Sequence, residues 1–369
     1  MDQSQSPSVL VAAGGTGGHL FPAVALASVL VERGIAVHLA TDRRTIRFGN
    51  TFADDAIHVV ASATVRGRNP VALTRTAAAL GLGVFQAWRL IGRLQPAAVI
   101  GFGGYPSVPP VLAAVWRGAP TLIHDANAVV GRANRLLAPR VTAIATTFPE
   151  TFRGAPDLAG KATLTGNPVR SAVIAAAATP YSPPSDVLRL LIFGGSQGAR
   201  IMADIVPAAI ALLQGELRSR LHIVQQAREE DLARVRAAYA SLSVAAVVAP
   251  FFADLPARIA ASHLVVARSG ASTVAEVAAI GRPSILVPLP HAIDQDQFAN
   301  AGVLERAGGA LRLMQEAFTP ERLAIEIAAL ADRPERLTAM AAAARSLGRL
   351  DAAARLADLV LKVAGLACR

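Results

Sequence analysis

Leu188–Arg200, LRLLIFGGSQGAR, decides the reading of the fold, because it restarts near mid-chain a pattern already used at Val9–His19, VLVAAGGTGGH. In both, a β-rich apolar run enters a glycine loop and an apolar-periodic segment follows, the strand, turn and helix order that cradles a phosphate. Two such units predict an α/β protein of two Rossmann-like domains facing a cleft, rather than one long sheet with a single nucleotide crevice. Working outward, the expected domains are 1–164 and 187–345. The glycine- and proline-rich stretch 165–186, TGNPVR through TPYSPPSD, reads as a linker, and 346–369 as a helical end.

The 369 residues, 53% of them hydrophobic, suffice for two cores and exclude a disordered chain. The one cysteine, Cys368, leaves no disulfide framework and no cysteine zinc site, and a reducing compartment fits. MDQSQSPS lacks a basic residue and an apolar core, unlike a secretory signal. The uncharged run 94–116 is long enough for a membrane span, but Pro106, Pro109, Pro110 and three glycines would break a lipid-exposed helix. Of the formal charge of +10, +7 falls on residues 1–165 and +3 on the rest. Such a first half attracts nucleic acid, an anionic membrane or an anionic substrate. Aromatics at 5% argue against a base-stacking surface, so nucleic acid is not an expected partner.

In the first half, Gly14–Gly18 lets backbone approach a ligand ahead of a helix over Phe21–Arg33 with Leu26, Val29 and Leu30 inward. His19 at that helix start is placed either for proton transfer or as a merely polar contact. Leu73, Ala77, Leu80, Val84, Trp88 and Ile91 recur at helical spacing among Arg66, Arg68, Arg75, Arg89 and Arg93. This fits a basic amphipathic helix on an anionic bilayer, or a core-facing helix with a solvated charged face. The strands PAAVIG and TLIHDAN end in GFGGYPS and in His124, Asp125 and Asn127, where open α/β sheets place ligand contacts; capping is the alternative use of Asp and Asn.

In the second half, strands are expected at 221–224 and 244–248, followed by Phe251 and Phe252, which either pack inward or wall a nucleobase pocket. HLVVA then reaches RSGAST, whose Ser269, Gly270, Ser272 and Thr273 can offer hydroxyls and N–H groups to a phosphate at a helix start. Glu276 accepts from a ribose diol or stands as a helix-surface acid. The polar run HAIDQDQFAN can complete a pocket, and helices from Glu321 onward leave Leu347, Leu350, Ala354, Ala357 and Leu361 on one face.

GGTGGH, GFGGYPS, IHDAN, TGNPVR, GGSQGAR, RSGASTVAE and DQDQFANA, in this order over residues 9–310, resemble the MurG-type glycosyltransferases of peptidoglycan synthesis. The resemblance implies the glycosyltransferase B fold, with a C-terminal helix crossing back to the first domain. It also implies inverting, metal-independent transfer of N-acetylglucosamine from UDP-N-acetylglucosamine, a substrate and not a cofactor. The acceptor would be undecaprenyl-diphospho-N-acetylmuramoyl-pentapeptide, the product lipid II. By motif it assigns Thr16, Gly17, Gly18, Asn127, Arg170 and Ser196 to the donor. Phe252 would meet uracil through its backbone, Glu276 the ribose and Gln297 the sugar. His19 becomes the first candidate for general base and Asp125 the reserve. Two departures stand out: Asp125-Ala126 replaces the family's usual Glu-Gln, and the residues around Asp296 differ. Leu80, Trp88, Arg75 and Arg89 would then meet the cytoplasmic face of the inner membrane, with other cell-wall synthesis proteins as further partners. A transferase with another lipid acceptor and a UDP-sugar 2-epimerase share the fold and are the competing readings.

Overall fold

The computed structural model describes residues 7–15, 17–42, 52–63, 69–152, 155–195, 198–290, 292 and 294–367. Contacts divide the chain into two compact units, residues 1–170 with 350–369, and residues 171–349.

The first unit holds β1 (Ser8–Ala12), β2 (Ala36–Thr41), β3 (Ile57–Val59), β4 (Ala98–Gly101), β5 (Thr121–Asp125), β6 (Ala143–Thr146) and β7 (Ala162–Leu164). They form one parallel sheet in the order β3-β2-β1-β4-β5-β6-β7. A parallel sheet covered on both faces needs near-continuous apolar strands. Val9, Val11 and Ile100 accordingly pack on one face, under Leu20, Leu26 and Leu30 of the helix Gly17–Glu32. Leu10, Ala12, Val99 and Ile123 pack on the other, under Ala87, Leu90 and Ile91 of the helix Pro70–Leu94 and Val111 of Val108–Trp116.

The second unit holds β8 (Leu188–Phe193), β9 (Leu221–Gln226), β10 (Ala245–Ala249), β11 (Leu264–Ala267), β12 (Ser284–Leu286) and β13 (Ala310–Arg312). Its parallel order is β10-β9-β8-β11-β12-β13. Both sheets thus start in the middle and reverse direction, between β1 and β4 and between β8 and β11. The loops leaving those strands are the two glycine loops and their partners, so the fold itself brings the motifs together at two switch points.

Contacts divide the stretch 165–186 after Arg170: TGNPVR groups with the first unit, while the helix Ser171–Ala176 packs on the helices Leu255–Ala261 and Ala271–Ile280 of the second. The fully buried Arg282 fixes the next residues, donating to the carbonyls of Thr179 and Pro180 as well as to Ala260, Ile280 and Gly281. The helical end is also two pieces. Leu347 closes the helix Pro334–Leu347, and Gly348 follows where an added Cβ would meet the backbone of Ala278 and Ala279 at 2.7 Å. Only glycine fits that approach, and it ends the helix. The last helix, Ala352–Val363, belongs to the first unit: Leu356, Ala357, Val360 and Leu361 join Leu20, Leu26 and Leu30, and Asp358 pairs with Arg33 at 2.6 Å.

Candidate active site

At the first switch point, His19 is half-buried and its ring lies against the GFGGYPS loop. A Cβ on Gly104 would stand 3.2 Å from His19 Cδ2 and 3.3 Å from Nε2; one on Gly103 would stand 3.5 Å from Cε1. Both glycines have positive φ, +83° and +69°. Their freedom and lack of a side chain are what let an imidazole rest on this turn. Gly17 and Gly18 open the helix that carries His19. Thr16 lies outside the described residues.

His124, the last residue but one of β5, is wholly buried. Its Nε2 donates to the Gly166 carbonyl at 3.0 Å, and its ring sits 5.3 Å from that of Phe102. Burial holds its pKa down to about 4, against the opposing hydrogen bond to Gly166, so the ring is neutral near pH 7. Asp125 is also buried. One oxygen accepts from Asn127 N at 3.1 Å; the other accepts from Gly131 N at 3.0 Å and Asn134 Nδ2 at 3.1 Å. Burial raises it to about 6, with those three bonds pulling the other way. These three bonds to the carboxylate shape the loop after β5, which places the half-buried Asn127 at the sheet edge. Asn134, which the sequence reading passed over, also donates to the His124 carbonyl at 3.0 Å.

TGNPVR is fastened at both ends. Thr165 N and Gly166 N donate to the Thr146 carbonyl, and Arg170 at the far end stacks over the Phe21 ring, its guanidinium carbon 4.6 Å from the centroid. Phe21 is two residues beyond His19. Arg170 is therefore held beside the histidine helix by a cation–π contact.

At the second switch point, Gly194 N donates to Gln226 Oε1 at 3.0 Å, fixing the loop after β8 to β9. Ser196 lies outside the described residues. Gly270 precedes the helix Ala271–Ile280, whose first turn carries Ser272 and Thr273. Glu276 is buried rather than on the helix surface, which removes the surface-acid alternative. Arg268, with nothing but desolvation lowering its pKa, is tied to the carbonyls of Val287 and Pro288 and to Gln315 Oε1. Gln297 accepts from Leu289 N through Oε1 at 3.0 Å, and its carbonyl accepts from Ser269 Oγ at 2.8 Å. Of the two phenylalanines, Phe252 is buried beneath the Arg258 guanidinium, and Phe251 is 67% exposed.

The helix Pro70–Leu94 corrects the single stripe expected of it. Ile91 belongs to the core, Leu80 is half-buried, and Ala77 and Trp88 are exposed. The exposed apolar residues are Leu82, Phe85 and Trp88, and Trp116 is 67% exposed at the end of the neighbouring helix. Arg75 is exposed, Arg89 lies over Phe85, and Arg117 over Trp88 at 3.8 Å. The register is set by Gly83, where a Cβ would collide with the Ala61 carbonyl, so that side must face inward. Arg66 and Arg68 lie outside the described residues. Among the described residues no helix is long and apolar enough to cross a membrane, and no group of three or more His, Cys, Asp or Glu is placed to hold a metal ion.

Residues 9–146 match the glycosyltransferase family 28 N-terminal domain and residues 189–356 the C-terminal domain of that family. The chain is 61% identical over all 369 residues, and over 98% of the relative, to the UDP-N-acetylglucosamine–N-acetylmuramyl-(pentapeptide) pyrophosphoryl-undecaprenol N-acetylglucosamine transferase of Rhodopseudomonas palustris (strain BisB18). This chain belongs to glycosyltransferase family 28. Family 28 membership agrees with the crystal structure of Acinetobacter baumannii MurG, which superposes with a TM-score of 0.78 at 31% identity over 96% of this chain and 99% of that one. A UDP-GlcNAc 2-epimerase from Neisseria meningitidis, bound to UDP-GlcNAc, also superposes (TM-score 0.67, 96% and 100% covered). At 14% identity it shares the fold alone. The chain is a glycosyltransferase of the two-domain B architecture.

Proposed function

We propose that this transferase moves N-acetylglucosamine from UDP-N-acetylglucosamine to the 4-hydroxyl of the muramoyl unit of undecaprenyl-diphospho-N-acetylmuramoyl-pentapeptide, completing lipid II, with His19 as general base. Full-length identity of 61% to a transferase with that donor and acceptor in its name carries the reaction. It also favours transfer over the epimerase reading. The base assignment rests on geometry: His19 is the half-buried imidazole at the first switch point, whereas Asp125 is buried and accepts from Asn127 N, Gly131 N and the Asn134 carboxamide.

The muramoyl oxygen attacks the donor C1 as its proton passes to His19. The new C–O bond forms as the bond from C1 to the diphosphate breaks, UDP leaves, and the anomeric centre inverts. The start of the helix Ala271–Ile280, with Ser272 and Thr273, receives the diphosphate, and the leaving charge is met by helix N–H groups, hydroxyls and arginine without a required metal. Glu276 binds the ribose diol, the Phe252 backbone the uracil, and Gln297 the sugar hydroxyls. Asn127 meets the donor sugar, and Gly17, Gly18 and Arg170, with Thr16 and Ser196 by motif, contribute to donor binding.

Leu82, Phe85, Trp88 and Trp116, flanked by Arg75, Arg89 and Arg117, form the surface that meets the anionic cytoplasmic face of the inner membrane, where a lipid-linked acceptor is reached. Other cell-wall synthesis proteins are its neighbours there. UDP release from UDP-N-acetylglucosamine, with and without a short-chain lipid-linked muramoyl-pentapeptide and in the presence of a chelator, tests this reading. Release that needs the acceptor and survives chelation supports it. A C2-epimeric sugar formed without acceptor would overturn the reaction, and loss on chelation the metal-free step.

A further inference from the structure

Asn167, in the middle of TGNPVR, is 4% exposed, yet neither its Oδ1 nor its Nδ2 has a hydrogen-bond partner. Burying a carboxamide without partners is costly, so such groups are rare in folded proteins and ask for an explanation. Loose placement is not one here. The preceding Gly166 holds φ +87°, donates from its N to Thr146 O at 3.1 Å, and accepts His124 Nε2 at 3.0 Å. Three residues on, Arg170 is stacked on Phe21. Asn167 is therefore bracketed between the buried imidazole of β5 and the first turns of the His19 helix.

The same sheet edge gathers further unpaired buried atoms: Thr41 Oγ1 at the end of β2, His124 Nδ1 at the end of β5, and Asn134 Oδ1 beside it. Thr41 and His124 are in the last two residues of their strands, and Asn134, on the helix Arg132–Leu137, is tied to the end of β5 through the His124 carbonyl and the Asp125 carboxylate. With His124 Nε2 committed as donor to Gly166, its Nδ1 is an acceptor. The edge thus offers a set of fixed, desolvated donors and acceptors built in advance of what they bind.

We infer that Asn167 is a substrate-binding residue of this transferase, and that its carboxamide pairs with a secondary amide, the N-acetyl group of a reacting sugar. A carboxamide presents one acceptor and one donor side by side, and an N-acetyl group presents the complementary donor and acceptor. A site built to hydrogen-bond an N–H discriminates strongly against an analogue lacking it, because its own buried groups are then left unpaired. Both sugars in the reaction carry this group, and kinetics separates them.

The variants Asn167→Ala and Asn167→Leu are to be measured for the KM of UDP-N-acetylglucosamine, the KM of a short-chain lipid-linked muramoyl-pentapeptide, the ratio of UDP-N-acetylglucosamine to UDP-glucose use, and Tm. If the donor amide is read, donor KM rises about tenfold or more and the preference over UDP-glucose shrinks, with acceptor KM unmoved. If the acceptor amide is read, only acceptor KM rises by that factor. In either case Asn167→Leu keeps or raises Tm, since it removes a buried group that lacks a partner in the free protein. Unchanged kinetic constants would overturn the inference. So would a fall in Tm of several degrees with both KM values unmoved, the mark of a purely structural asparagine. The readout is independent of His19, whose removal acts on turnover and not on the sugar preference.

Discussion

The switch point of the first unit carries imidazoles and carboxamides; that of the second carries hydroxyls, a guanidinium and a buried glutamate. The backbone solution is the same in both, a central strand, a glycine turn and a helix start at the point where the strand order reverses. In the first unit, Gly103 and Gly104 make room for the ring of His19, and Thr41, His124, Asn134 and Asn167 keep buried polar atoms unpaired. In the second, Ser269 Oγ, Gln297 and two guanidinium nitrogens of Arg268 bond groups that hold the loops in place, and Ser272 Oγ and Arg268 Nε are buried without a partner. The proposed division gives proton transfer and sugar contacts to the first edge and the nucleoside diphosphate to the second.

The sharpest way to break that division is at His19. His19→Ala should lower turnover about 10²- to 10⁴-fold, the usual range for losing a general base, with donor KM little changed. Glu276→Ala should do the reverse, raising donor KM on the order of tenfold, as expected for a hydrogen bond to a buried charged group, with a smaller effect on kcat. If the two variants changed kcat and donor KM alike, the division would fail. Gly104→Ala tests the turn beneath the imidazole: it should lower kcat while leaving UDP affinity intact, because a Cβ pushes the ring and strains a φ of +69°.

The exposed face of the helix Pro70–Leu94 separates the units in another way. Phe85→Ser with Trp88→Ser should weaken binding to vesicles of anionic phospholipid, binding that also falls with salt, while turnover on a water-soluble short-chain acceptor persists. Binding insensitive to both would remove the membrane assignment.

The smallest effect concerns stability against pH. The His124 pKa, depressed from 6.5 to about 4, makes the unfolded chain bind the extra proton between those values, so this residue costs stability as pH falls through the window. Asp125, raised from 3.8 to about 6, acts oppositely, because there the folded chain holds the extra proton. His124→Gln should therefore make the fall in Tm on acidification from pH 6.5 to 4 shallower, and Asp125→Asn should make it steeper.

Most of the architecture was legible because the glycine loops carry their own order of strand, turn and helix, and apolar runs mark the buried parallel strands. The end of the chain was not. Leu347 and Leu361 fall on one helical period, and nothing local shows that Gly348 must pass against Ala278 and Ala279. The stripe on the Pro70–Leu94 helix misled for a related reason: periodicity names an apolar face but not its partner, and Gly83 chose the inward side by proximity to Ala61. His19, Asn127, Arg170 and Glu276 were named from motifs. Asn134 and Asn167 were not, because what distinguishes them is burial without a partner, a property of the folded chain alone.

The measurement that bears most directly on the account is UDP binding by calorimetry alongside single-turnover transfer in His19→Ala. Unchanged UDP affinity with transfer slowed about a hundredfold or more is the predicted result. Transfer at the wild-type rate, or UDP affinity falling in step with it, would contradict the claim that the first unit supplies the base while the second holds the nucleotide.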